Sequence, residues 1–572
     1  MRREAVPAAG AFALIAALGF DDGGFAASAW GWSAVLVFVV LALILARGAG
    51  RPRTAAVVLV AGLAALAVWA AASILWSSHV AASVLEVERV LLYAGAAAVF
   101  VLAGSGTALL AGVLGAVTLL CGYSLTQVQA GERLSEPIGY ANGVAILAVL
   151  GLLLTVGFAA RAERRVAAAV AAATGPLFAA TLYFTFGRGA WLALGIGLTA
   201  AVAFGPARLQ LAATALVLAV PAALAVLAAD GLGASRSLAA ALSLLCLLST
   251  LVAFVIRSVR LEPSRRARTA FAALLIALPV LVVAVVFVKL GGPAGAYDAF
   301  KAAPTPTHGD PRGRVLDLSG RNRADYWSVA WQSYERNPVL GAGAGTYART
   351  WLRERPVPQP NTDAHSLYLE MLAELGPLGL ALLALALAAP FAARATPWTP
   401  VALGPYVAFL AHSAQDWNWE LPAVTVAALA CGAALIAGQT SRRLPRAAAV
   451  PAALCVLTAV AFAGNHALER SIDAMDGLEW REAADAARRA RSLQPWSPEP
   501  WRVLGEIELA EGSLPAARRY FRAGLEDDPD EFELWIGLGL ASDGAAQRKA
   551  FARAAALNPL SPELGELGFK TG

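Results

Sequence analysis

The chain has 572 residues, of which 58% are hydrophobic and only 15% charged, and its mean hydropathy is +0.61. Soluble domains carry about 25% charged residues, so this composition indicates a membrane protein rather than a soluble one. The formal charge of +5 and isoelectric point near 9.1 do not point to nucleic acid. The basic residues cluster in short turns between apolar runs, where they act as topological signals.

The first apolar stretch, around residues 7 to 20, is short and leads into further spans, so it does not read as a cleavable signal peptide. Behind it come "WGWSAVLVFVVLALILA" and "TAAVVLVAGLAALAVWAAASIL", and later "TAFAALLIALPVLVVAVVFV", each of a length that crosses a bilayer. A sliding window over the whole chain gives roughly fourteen or fifteen spans. The richest basic turns are "RGAGRPR" (47–53), "RAERR" (161–165), "RSVRLEPSRRAR" (257–268) and "SRRLPR" (441–446). With Arg2 and Arg3 in the cytoplasm, alternating spans put all four turns on the cytoplasmic side. The same count places the turn "FGRGAW" (186–191), the segment from about 291 to 375 and everything after about 466 outside.

The fold class is therefore all-α and polytopic. Transmembrane helices are expected over 1–290 and 376–465, with an extracytoplasmic helical loop subdomain between them at 291–375. Within that loop "RADYWSVAWQSYERNP" reads as an amphipathic helix, with Tyr326, Ala330, Trp331 and Tyr334 at helical spacing. After the last span the composition turns charged and Ala-rich. "PWSPEPW" is echoed by "PDEFELW" at about 34 residues, the tetratricopeptide period. A shortened third unit ends in "FARAAALNPLSPEL". Residues 468–572 thus read as a small extracytoplasmic solenoid with a face for an envelope protein partner.

Three polar pieces fall on the outer side: Arg188, Arg321 and His365. An arginine at a span boundary, as Arg188 is, serves either as a snorkelling anchor or as an anion contact. Arg321 and Arg323 open a helix, where cations oppose the macrodipole; they mark either a nearby anion or a solvated basic loop. Asp363 is a plausible N-cap that places His365 in the first turn of the next helix. There the macrodipole should keep the imidazole neutral and able to act as a general base. Glu370 and Glu374 further on partly reverse that effect.

Other features say less. "GAGAGTY" (341–347) lacks a strand-to-helix phosphate-loop context and reads as a flexible turn. Asp21 and Asp22 in "DDGG" are either a base or metal ligand, or an ordinary turn. The four cysteines (Cys121, Cys246, Cys431, Cys455) all sit in apolar runs and read as small buried hydrophobes. His79, His308, His412 and His466 are scattered and form no metal-ligand pattern, so no metal and no cofactor is expected.

"SGRNRADYWSVAWQSYERNPVLGAGAGTY" followed by "TDAHSLYLEMLAELGPLGL" resembles the signature region of the O-antigen ligase and polymerase superfamily, over roughly residues 315 to 385. Lesser echoes are "FGRGAW", "GYANGVAIL" around Asn142 and "AHSAQDWNWELPA" around Asp416. A tetratricopeptide tail also occurs in that superfamily. The resemblance implies a plasma-membrane glycosyltransferase that takes glycan from a polyprenyl-diphosphate-linked donor at the outer face. It implies Arg188 and Arg321 on the donor diphosphate, and His365 as the base for the acceptor hydroxyl, with inversion at the anomeric carbon. Arg323, Asn142 and Asp416 would support them. The acceptor is left open among a lipid, a glycan and protein hydroxyls, the last making a protein oligosaccharyltransferase. Two other readings stand beside it: a transporter or flippase of a lipid-linked substrate, disfavoured because the spans look almost free of ionisable residues, and a membrane-anchored scaffold working through the solenoid.

Overall fold

The computed structural model describes residues 2–205, 208–256, 287–302, 319–443 and 448–569, with isolated positions between 264 and 285 and at 313. Most of the basic turn 257–268, much of the apolar run 269–288, His308 and the end of the turn 441–446 lie outside the described residues. In a bilayer core the backbone finds no water, so apolar segments must satisfy their own N–H and C=O groups as helices. The chain does this repeatedly. The helices are α1 (Arg2–Gly19), α2 (Ala27–Ala46), α3 (Thr54–Ser73), α4 (Val80–Ala103), α5 (Gly106–Thr126) and α6 (Ala141–Arg161). They continue as α7 (Arg165–Ala173), α8 (Gly175–Thr185), α9 (Arg188–Ala203), α10 (Arg208–Leu232) and α11 (Arg236–Ile256).

A short α12 (Gly292–Lys301), then α13 (Arg323–Arg336) and α14 (Tyr347–Glu354), form the interruption before the chain returns to the bundle. There α15 (Leu367–Ala388), α16 (Thr399–Ser413), α17 (Pro422–Ile436) and α18 (Ala449–Asp476) complete it. Among the described residues nine helical segments are long and apolar enough to cross a membrane, and Glu4–Gly19, Arg188–Ala203 and Pro422–Ile436 are shorter apolar helices. The sequence count of fourteen or fifteen also takes in these, the charge-bearing α4, α16 and the apolar run 269–288.

Small residues let the helices approach where the site needs them to. At the crossing of α9 and α16, a Cβ on Gly197 would lie 2.6 Å from the Gly404 carbonyl oxygen. No larger residue fits, which is how membrane helices pack backbone to backbone. That crossing aligns the start of α9 with the end of α16. A two-stranded antiparallel pairing, β1 (Gly50–Pro52) with β2 (Gln439–Arg443), ties two of the basic turns together at one end of the bundle. Helix alternation puts the turns after α1, α3, α5, α8 and α16, and the α12–α14 segment, at the other end.

α18 runs unbroken from the bundle into the solenoid of α19 (Trp480–Leu493), α20 (Glu499–Ala510), α21 (Leu514–Asp527), α22 (Phe532–Leu540), α23 (Gly544–Leu557) and α24 (Pro562–Glu566). Its core is made of Ala483, Ala487, Val503, Leu504, Phe521 and Leu534, all buried. In the loop subdomain Tyr326 and Ala330 of α13 are buried as the helical spacing predicts, while Trp331 faces out at 47% exposure.

Candidate functional site

Arg188, Arg321, Arg323, His365, Asn142 and Asp416, drawn from five separate stretches of sequence, line one cavity of about 650 Å³. It opens among the ends of α6, α9 and α16 and the loop before α13. Arg133, Tyr140, His412 and Gln415 share its wall.

Its base is a fully hydrogen-bonded carboxylate. Asp416 is 1% exposed. It accepts from Tyr140 Oη at 2.7 Å, Asn142 Nδ2 at 2.6 Å and the Arg323 guanidinium at 3.2 Å. Burial alone would raise this carboxyl, but the Arg323, His412 and His365 charges outweigh it and hold it below the usual carboxylate range. The anion suggested by a cation at the start of α13 is thus part of the protein, at least for Arg323. Burial and the adjacent Asp416 charge raise the Tyr140 phenol well above its ordinary value. Arg133 donates to the Thr185 carbonyl at 2.8 Å and to Asn142 Oδ1 at 2.5 Å, joining the α5–α6 turn to α8 and α6.

The Arg188 guanidinium donates to the Ser319 carbonyl at 2.8 Å and lines the cavity, so it does not snorkel toward lipid. Arg321 lies just before α13, not within it. Arg321 and Asn322 both adopt left-handed backbone (φ 49° and 67°). Such conformations are strained for non-glycine residues and concentrate at functional sites.

His365 also departs from its expected setting. α15 begins at Leu367 with Ser366 in the N-cap position, so His365 stands before the helix, at φ 50°. Asp363 does not cap the helix. Its Oδ1 lies 2.7 Å from His365 Nδ1 and accepts the His365 backbone N–H at 2.9 Å. The expectation of a ring held neutral by the helix dipole is therefore overturned. Burial works to lower the pKa, but Asp363, reinforced by Asp416, prevails and raises it above the ordinary imidazole value. The Tyr326 ring covers the imidazole with centroids 4.9 Å apart, and Trp327 Nε1 donates to the His365 carbonyl at 3.4 Å. With Nδ1 on the Asp363 side of the ring, Nε2 is the nitrogen left for the cavity to use.

The glycine-rich loop is not a flexible turn. It wraps a carboxylate: Gly345 N–H and Tyr347 N–H each donate to Glu374 at 2.8 Å. Gly341, Gly343 and Gly345 all have positive φ, and Cβ atoms there would strike Glu374, Ser77 and Ala82. Nor are the spans free of ionisable residues. α4 and α15 carry Glu86, Glu88, Arg89, Glu370 and Glu374 in their first three turns. Each has a protein partner: Arg89 pairs with Glu86 and Glu420, Asn465 donates to Glu88, and the Ala364 N–H donates to Glu370. Asp21, bonded by Trp32 Nε1 at 3.1 Å, and Asp22 form the α1–α2 turn and do not line the cavity. His79, scattered in sequence, comes close to Asp528 and Glu531, their ligating atoms within 4.8 Å of one another.

Residues 223–384 match the family model described as O-antigen ligase, and residues 498–541 match the tetratricopeptide repeat. The chain carries an O-antigen ligase domain. No curated protein matches it. The ligase-domain match contains Arg321, Arg323 and His365; Asn142, Arg188 and Asp416 lie outside it and are joined to it only by the fold. The nine apolar segments make the protein a multi-pass membrane protein, and the ligase-domain match supports a glycan ligase or polymerase of the glycosyltransferase kind.

Sequence reading missed Arg133, Tyr140, His412 and Gln415 as wall residues and mistook the role of Asp363. "ERLSEPIGY", a polar stretch closing an outer turn, was the available signal for Arg133 and Tyr140.

Proposed function

We propose that the ligase domain transfers glycan from a polyprenyl-diphosphate-linked donor to an acceptor hydroxyl at the outer face of the plasma membrane. The carrying observation is that Arg188, Arg321 and His365 line one cavity at one end of the bundle, with Asp363 against the imidazole Nδ1. Guanidinium forks suit bidentate contact with phosphate oxygens, and Arg188 and Arg321 are the groups assigned to the donor diphosphate. His365 Nε2 takes the acceptor proton as the acceptor oxygen bonds to the anomeric carbon. The bond from that carbon to the phosphate oxygen breaks on the opposite side, and the diphosphate leaves with its electron pair. Charge growing on the leaving group is met by the two arginines, which act most strongly in the transition state. A single displacement of this kind inverts the anomeric centre. Asp363 fixes the imidazole tautomer and stabilises the imidazolium as it forms.

Arg323, Asn142 and Asp416 hold the frame on which these groups sit. The two basic turns joined by β1 and β2 mark the cytoplasmic end, which supports an outward-facing cavity. The test is reconstitution of the purified protein with donor extracted from its host and analysis of the product's anomeric configuration by NMR. Inverted linkage is expected; retained configuration would contradict the single displacement.

A further inference from the structure

The solenoid is bolted to the loop subdomain through one short helix. Arg349, in α14, is buried at 8% exposure against Asp528 at 6%. Its guanidinium donates to Asp528 Oδ1 at 3.0 Å and Oδ2 at 2.7 Å, and to Glu531 Oε2 at 3.0 Å. It also donates to the Ser78 carbonyl in the α3–α4 turn. Arg355, just past α14, donates to Asn558 Oδ1 at 2.9 Å and the Leu560 carbonyl at 3.0 Å. Two inter-repeat turns, after α21 and after α23, therefore grip the same helix. A bidentate pair this deep is retained for geometry more than for net stability, since desolvating both ions offsets much of their attraction. Arg349 stands between the two carboxylates near His79, which makes that cluster an ion-pair joint.

The opposite face of α14 reaches the site. Tyr347 and Trp351 are buried at 2% and 0% exposure. Tyr347 Oη donates to the Tyr326 carbonyl at 3.0 Å, and the Trp351 ring meets the Tyr326 ring edge-on at 4.8 Å. Tyr326 in turn covers His365. A continuous packed path thus runs from the solenoid turn, through α14 and Tyr326, to the imidazole.

We propose that Arg349 and Asp528 are positioning residues: the repeat solenoid is a fixed brace behind the site that holds α14, and through Tyr326 the His365 ring, in reactive geometry. This rests on the transferase reading above. It assigns the tail a role in turnover that needs no outside partner.

The test uses full-length protein in detergent with the extracted donor and its acceptor, comparing Arg349→Asp, Asp528→Arg and the double reversal. Each single reversal should lower kcat about ten- to hundredfold, because a small misplacement of a reacting group has effects of that size, while KM for donor stays near wild type. The double reversal should recover most of the loss. Hydrogen exchange over 323–336 and 361–366 should rise in each single variant and fall again in the double, and this readout does not depend on turnover. If a single reversal fails to fold, Asp528→Asn keeps the shape and should show a smaller change of the same kind. Wild-type kcat in a folded single variant, exchange that rises only within the solenoid, or a folded double reversal without recovery would each overturn the proposal. Absence of transfer by wild type would sink the transferase reading instead, leaving exchange to decide the joint.

Discussion

Asp363 Oδ1 sits 2.7 Å from His365 Nδ1, on a backbone turn that also directs the His365 N–H to the same oxygen. That pairing sets the pH behaviour. The base must be neutral to accept a proton, and Asp363 raises its pKa above the ordinary imidazole value against the opposing effect of burial. Activity should therefore climb with pH along a limb placed above the ordinary histidine range. Asp363→Asn removes the raising charge, so the limb should move to lower pH while kcat falls about a hundredfold through loss of the oriented tautomer. A pH–rate profile of both proteins checks the direction; an unmoved limb counts against His365 as the titrating group.

The arginines make separable predictions. Arg321→Ala and Arg188→Ala should each cost about a hundredfold in kcat/KM for the donor, the scale of losing one preorganised donor to a developing anion. Lysine at either position should recover only part, since a point charge lacks the bidentate fork. Steady-state kinetics at several donor concentrations measures this, and full activity in the alanine variants would remove them from the diphosphate.

Asp416 belongs to the frame. Asp416→Ala leaves the Arg323 guanidinium, Tyr140 Oη and Asn142 Nδ2 without the acceptor they share. Breaking a buried pair in this way costs about 3 kcal/mol or more. Thermal unfolding in detergent should show a marked fall in Tm, with activity declining because the cavity wall loosens.

The glycine loop gives a steric prediction. Gly343 has φ 111°, and a Cβ there would stand 2.6 Å from Ser77 Cβ. Gly343→Ala should destabilise the protein by about 1–3 kcal/mol through backbone strain alone, before the displacement of Ser77 is added. A Tm equal to wild type would mean the loop can shift without penalty.

Much of this architecture was legible in the sequence, for physical reasons. A bilayer imposes long apolar helices, and a repeat imposes its period, so spans and solenoid announce themselves locally. Arg188, Arg321 and His365 were singled out through the family resemblance of the segments around them, and the fold brings all three to one cavity. What the sequence hid is distance. Asn142 and Asp416 are 274 positions apart and hydrogen-bonded, and Arg349 and Asp528 are 179 apart and ion-paired. Local rules misled at Asp363 and His365, where an N-cap pattern fits the residue types but the chain turns left-handed and spends the carboxylate on the ring. They misled again at "GAGAGTY", because the Glu374 carboxylate that orders the loop comes from another helix.

The central claim is that His365 is the base for glycan transfer. The most direct measurement follows release of polyprenyl diphosphate from the extracted donor, in the presence of acceptor, by wild type and by His365→Ala, with both checked by size exclusion. Release by wild type and loss of about a hundredfold or more in the variant is the expected result. Equal release from two equally folded proteins would contradict it.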